Sequence, residues 1–182
     1  MDAFEQLVAE FLWSEGYWVQ TSVRVRLGKD HKVEIGRPTT PDWEIDVVAY
    51  HGATNDLIAL ECKSFFDSTG VSRSELEECE GVSKGRYKLF CEPNLRNVIL
   101  RQLRLQCVED GLCPIGSPAR LGMVAGKIKK GDEQAIAQLF DKNEWIFREH
   151  KWLKERLNHL SANSYRNHVG AVVAKILLRE SI

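Results

Sequence analysis

Between residues 45 and 63, three ionisable side chains stand in strands that would otherwise be uniformly apolar. Ile45-Asp46-Val47-Val48-Ala49-Tyr50 is followed by a turn through His51-Gly52-Ala53-Thr54-Asn55, then by Asp56-Leu57-Ile58-Ala59-Leu60-Glu61-Cys62-Lys63. Short runs rich in Val, Ile and Leu on either side of a Gly- and Asn-containing turn predict a β-hairpin. Side chains alternate faces along a strand, so Glu61 and Lys63 share one face and Cys62 takes the other. In an antiparallel pair the start of one strand lies beside the end of the next, which brings Asp46 to Glu61 and Lys63. Ionisable groups beside apolar strands are costly unless they pair or hold a metal.

The chemistry open to these groups is definite. Two carboxylates and the backbone carbonyl of Cys62 are hard oxygen donors suited to Mg²⁺, or to Mn²⁺ as a substitute. A divalent ion makes its water more acidic and neutralises charge growing on a phosphoryl oxygen. Lys63 could orient or deprotonate an attacking water, or stabilise the charge of a pentacovalent state. A buried ion network without a metal is the other use of the same three residues.

Several elements must position the hairpin. From Asp2 to about Glu15, the positions of Phe4, Leu7, Val8, Phe11 and Leu12 have the spacing of an amphipathic helix, with Asp2 as its cap and Gly16 at its end. From spacing alone, Glu5 reads as a first-turn glutamate favoured by the helix dipole. Tyr17 to Leu27 alternates Val23, Val25 and Leu27 with Arg24 and Arg26, which predicts a strand. Residues 28–32 read as a basic turn and 33–41 as irregular. After the hairpin, residues 64–94 lack strong periodicity and read as a lid or a surface insertion. Leu95 to Asp110 has a helical pattern closed by Gly111, and Leu121 to Gly126 reads as a strand whose glycines admit a close neighbouring backbone. Residues 132–140, 144–160 and 164–179 read as helices.

The totals suit one ordinary domain. The chain has 182 residues, 43% hydrophobic and 28% charged, with a formal net charge of −1. It is no polycation that would coat nucleic acid by bulk charge, so local clustering must do any such work. No apolar run approaches the roughly 20 residues that cross a bilayer, and Met1-Asp2-Ala3-Phe4-Glu5 lacks the features of a secretory signal. A cytoplasmic protein is expected. Cys62, Cys79, Cys91, Cys107 and Cys113 form no C-x-x-C pair, and their odd number points to reduced thiols.

On Ile45-Asp46-Val47-Val48-Ala49 and Ala59-Leu60-Glu61-Cys62-Lys63-Ser64, with Phe4-Glu5 in the first helix, the chain resembles the PD-(D/E)xK nuclease superfamily, in its Mrr-like or Holliday-junction-resolvase-like branch. The resemblance implies an α/β protein with a restriction-endonuclease-like αβββαβ core over residues 1–126. That core would hold a mixed central sheet, with residues 127–182 as a C-terminal helical extension packed on it. It further implies a Mg²⁺-dependent deoxyribonuclease whose site comprises Glu5, Asp46, Glu61 and Lys63. Asp46, Glu61 and the Cys62 carbonyl would hold the metal, and Glu5 would join directly or through water, with Glu10 as the fallback. Asp46 is preferred over Asp42 of Pro41-Asp42, which precedes the strand. Some branches carry a glutamine and a tyrosine in the helix after the site; Gln102 and Gln106 stand here without the tyrosine. Many relatives cut two strands as dimers, so a homodimer is a further expectation.

The implied substrate is DNA, with RNA as the other polymer of the same linkage. Candidate phosphate contacts are Arg24, Arg26, Lys29, Lys32, Arg37, Lys84, Arg86 and Lys88, with Arg101, Arg104 and the Lys127, Lys129, Lys130 cluster beside them. Each taken singly also reads as a solvated surface charge. A catalytically silent nucleic-acid-binding or assembly module of the same fold is the alternative function.

Overall fold

The computed structural model describes residues 2–79, 85–162 and 167–178. Helix α1 (Ala3–Ser14) begins with a reciprocal cap. The Asp2 carboxylate accepts from the N–H groups of Phe4 and Glu5, while the Glu5 carboxylate accepts from the Asp2 N–H. Strands β1 (Trp18–Val25), β2 (Trp43–His51) and β3 (Asp56–Lys63) follow as an antiparallel meander, with the short helix α2 (Lys29–Glu34) between the first two. Strand β4 (Ala119–Ala125) lies parallel to β3, and β5 (Ile146–Arg148) parallel to β4. The result is an α/β architecture on a mixed five-stranded sheet in sequential order.

Parallel neighbours need crossovers, and helices supply them. Helices α3 (Arg73–Glu78), α4 (Lys88–Cys91) and α5 (Pro93–Glu109) carry the chain from β3 to β4; α6 (Glu133–Lys142) carries it from β4 to β5. Helices α7 (His150–Ala162) and α8 (Val169–Leu178) close the described chain.

Period-two alternation divides the core into two layers. Val48, Leu57, Ala59, Leu121 and Met123 pack with Leu95, Ile99 and Leu103 of α5 and with Ile136 and Phe140 of α6. Val47, Ala49, Ile58, Leu60 and Val124 pack with Phe4, Val8 and Phe11 of α1 and with Trp152 and Leu153 of α7. Leu76, Tyr87, Leu89 and Phe90 belong to the first layer, so the stretch 64–94 contributes to the core.

Three local expectations are corrected. Residues 29–34 form a helix rather than a turn and irregular chain. The buried Ile35, the Lys32–Asp42 ion pair at 3.5 Å and the Gly28 N–H donating to His31 Nδ1 hold it, none of which is a periodic signal. The expected helix over 144–160 splits into β5 and α7, because the outer edge of β4 offers unpaired backbone groups that Ile146, Phe147 and Arg148 satisfy. Gly122 makes that approach feasible: a Cβ there would lie 2.7 Å from side-chain atoms of both Ile146 and Leu60. Finally, Cys79 and Cys91 form a disulfide across a Cα–Cα distance of 5.4 Å, leaving Cys62, Cys107 and Cys113 free and buried. Parity of the whole count says nothing about two thiols that helix packing brings together.

Candidate functional site

The site forms where the β2–β3 ladder stops. Its register runs from His51↔Asp56 to Val47↔Leu60 and goes no further. On the other side of β2, the β1 register is interrupted only opposite Asp46, at Ser22, whose φ is 51°. Ile45 packs in the α5 layer although Val47 and Ala49 pack in the α1 layer. Residues two apart share a face in a regular strand, so the strand rotates at Asp46. Backbone groups of β3 beyond the ladder then need new partners. The Cys62 N–H finds one in Asp46 Oδ2, at 2.7 Å. In a strand the carbonyl of a residue points to the same side as its N–H, so the Cys62 carbonyl faces the same opening as Asp46.

Glu61 and Lys63 complete the group. Lys63 Nζ lies 3.1 Å from Glu61 Oε2 and 3.9 Å from Asp46 Oδ2, and the three side chains are between 15% and 21% exposed. One cation, the ammonium, thus already sits between the two carboxylates. Burial pushes the Glu61 carboxyl above its ordinary range; the Lys63 charge pulls it back, and Asp46 adds to the rise. Burial works to lower the Lys63 pKa, but the charges of Glu61 and Asp46 outweigh it and hold the ammonium above its usual value. In this arrangement Lys63 is a fixed positive charge and hydrogen-bond donor. It is not a base.

Glu5 approaches from α1. Its carboxyl is raised chiefly by burial, countered by the hydrogen bond from Asp2 and reinforced by the charge of Asp46. Its carboxylate accepts from the Asp2 N–H in the first turn, and it shares charge repulsion with Asp46 and Glu61. Among the described residues, no three His, Cys, Asp or Glu side chains gather closely enough to form a metal nest of their own. A cation here would rest on Asp46, Glu61 and the backbone carbonyl of Cys62, with Lys63 displaced from between the carboxylates. That all-oxygen donor set fits Mg²⁺ or Mn²⁺. Glu10 is spent elsewhere, accepting from the Gly170 N–H at 2.9 Å and tying α8 to α1. Gln106 bridges α5 to the end of β1 through the Arg24 carbonyl and the Arg26 N–H.

Six of the expected phosphate contacts are tied to carboxylates. Arg24 pairs with Glu44 at 3.7 Å, Arg26 with Glu109 and Asp110 at 3.0 Å, and Lys32 with Asp42. Arg37 holds Glu92 at 2.8 Å, Arg86 lies 3.9 Å from Glu75, and Arg101 holds Glu34 at 2.8 Å. Lys88 lies over the Trp43 ring, and Lys84 falls outside the described residues. Lys29, Lys127, Lys129 and Lys130 make no ion pair among the described residues. The last three follow Gly126 directly, and the Gly126 N–H donates to the Lys63 carbonyl at 2.8 Å. This basic stripe, without ion pairs among the described residues, therefore starts beside the Lys63 backbone.

Sequence reading misses Ser22. Its hydroxyl oxygen is buried without a hydrogen-bond partner among the described residues, opposite Asp46 in the register. A lone serine in an alternating strand carries no signal of a kink. Compared with family models, curated proteins and solved structures, the chain matches none.

Proposed function

We propose that the chain is a metal-dependent nuclease that hydrolyses phosphodiester bonds in DNA on a restriction-endonuclease-like αβββαβ core. The observation that carries this reading is the gathering of Asp46, Glu61, Lys63 and the Cys62 carbonyl at the open end of the β2–β3 ladder. The order α1, β1, β2, β3, α5, β4, with three antiparallel strands and then a parallel one, supports it.

Asp46, Glu61 and the Cys62 carbonyl would hold Mg²⁺ or Mn²⁺, which when bound supplies Lewis acidity toward water and phosphate. The rest of the work falls to the chain. Lys63 donates hydrogen bonds and positive charge toward the scissile phosphate as negative charge develops there. The Cys62 N–H fixes the Asp46 carboxylate in place. Glu5 would add a further negative charge to the site, directly or through water. Cutting both strands of a duplex calls for two such sites, so a homodimer belongs to the same proposal, with RNA as a second substrate to assay.

The test is cleavage of plasmid and linear DNA in Mg²⁺ or Mn²⁺. Asp46→Asn retains an acceptor for the Cys62 N–H but removes the charge. It is expected to keep the fold by circular dichroism and lose at least about a hundredfold in rate. Undiminished cleavage by the folded variant would sink the reading. A second reading, a catalytically silent nucleic-acid-binding module of the same fold, draws on the Lys63–Glu61 pair, which closes the trio without a metal. Calorimetric titration with Mg²⁺ separates the two. Uptake that Asp46→Asn abolishes favours the nuclease; DNA binding with no uptake favours the silent module.

A further inference from the structure

Phe66 stands three residues after Lys63, and it is 53% exposed. Its ring is held in one orientation by its neighbours. Phe4, the neighbour of Glu5, packs edge-on against it with ring centroids 5.6 Å apart. Gly126, bonded to the Lys63 carbonyl, leaves the room it occupies: a Cβ at 126 would lie 2.8 Å from two atoms of the ring and would also meet the Ser64 carbonyl. The ring is therefore held between α1, which carries Glu5, and the residue after β4, which bonds to the Lys63 backbone.

Its free side lines a cleft of about 370 Å³, within the size range of small-molecule sites. Glu133, Glu149 and His150 line the same cleft, as does Lys127, whose Nζ donates to the Ser68 carbonyl at 2.6 Å. Beyond Lys127 the chain continues into the exposed Lys129 and Lys130. Carboxylates in the cleft repel phosphate, and the lysines attract it. A polynucleotide would keep its backbone on the lysine side and offer the cleft a flat, uncharged group bearing amine donors. That description fits a nucleobase stacked on an aromatic ring. Within a duplex both faces of a base are covered, so only an unpaired base can present one.

Resting on the nuclease reading above, we propose that this cleft binds an unpaired nucleobase against Phe66, beside the hydrolytic trio. The subsite then favours DNA that carries an unpaired base beside the cut: a single strand, an overhang or a branch point.

The experiment is fluorescence anisotropy with the full chain in chelator, which silences cleavage. The probes are a short labelled single strand, an abasic strand of equal length and a covalently closed duplex. Phe66→Ala should bind the single strand about 5- to 150-fold more weakly than wild type. Phe66→Tyr should restore the affinity, and the abasic strand and closed duplex should not distinguish the variants. Equal loss on every probe, or no loss on the single strand, overturns the subsite. When wild type still cleaves DNA, that result leaves the nuclease reading standing; when wild type neither binds nor cleaves any probe, both are overturned together.

Discussion

Asp46 has two tasks at one kink. It accepts the hydrogen bond that the Cys62 backbone can no longer make to a neighbouring strand, and it presents negative charge to Lys63. The tasks separate by substitution. Asp46→Ala should cost about 1–3 kcal/mol of unfolding free energy, read by urea denaturation, because a poorly exposed N–H is orphaned; Asp46→Asn should cost clearly less. A second residue-scale effect concerns Cys107, whose thiol is pushed up to about 12, first by burial and then by Cys113 and Asp110. A raised thiol pKa means that the fold favours the neutral form. Its contribution is complete below the ordinary value of 9.0 and is lost as pH climbs from there toward about 12. Stability measured across that window should fall with a component of about 1.4 kcal/mol per pH unit, and Cys107→Ala should remove that component of the slope. The shared face of Glu61 and Lys63 is legible in the sequence because alternation is a local property. The rotation at Ser22 and Asp46 is not, since two strands have to meet before either has a reason to turn.

At the scale of elements, α1 and the hairpin follow from local chemistry: a capping aspartate, an apolar stripe, and a polar turn between Val- and Leu-rich runs. Helices α3 and α4 are another matter. They are short, and a disulfide between Cys79 and Cys91 links the end of one to the end of the other. Closing a loop of that length restricts the unfolded chain by about 3 kcal/mol in the chain-entropy account. Thermal or urea unfolding should show a loss of that order when a dithiol reductant is added, and Cys79→Ser should be insensitive to reductant. Strand β5 belongs to the same class of finding. Three residues with no strong pattern become a strand because the β4 edge and the space left by Gly122 are already there.

Across the whole molecule, several arginines join elements, while Lys29, Lys127, Lys129 and Lys130 make no ion pair among the described residues. Arg26 ties β1 to the end of α5, Arg37 reaches the residue before α5, and Arg101 holds α2. Nucleic-acid binding should then depend on salt through few contacts. On duplex DNA between low and moderate salt, the slope of log affinity against log salt is expected near −3, as for about three phosphates, and on a single strand near −2. The duplex slope would be near −7 if about eight basic residues reached phosphate. Filter binding across a salt series measures it, and combined replacement of Lys127, Lys129 and Lys130 by Ala should flatten it further. Among the described residues no helix is long and apolar enough to cross a membrane. By itself the sequence determined the α/β class, the amphipathic first helix, and the placing of two carboxylates and an amine at adjoining strand ends, because each rests on spacing within a few residues. Tertiary structure alone decided which backbone group Asp46 serves, that Lys63 lies between both carboxylates, which thiols join and which cations remain unpaired. These depend on groups far apart in the chain meeting in space, and no local period encodes such a meeting.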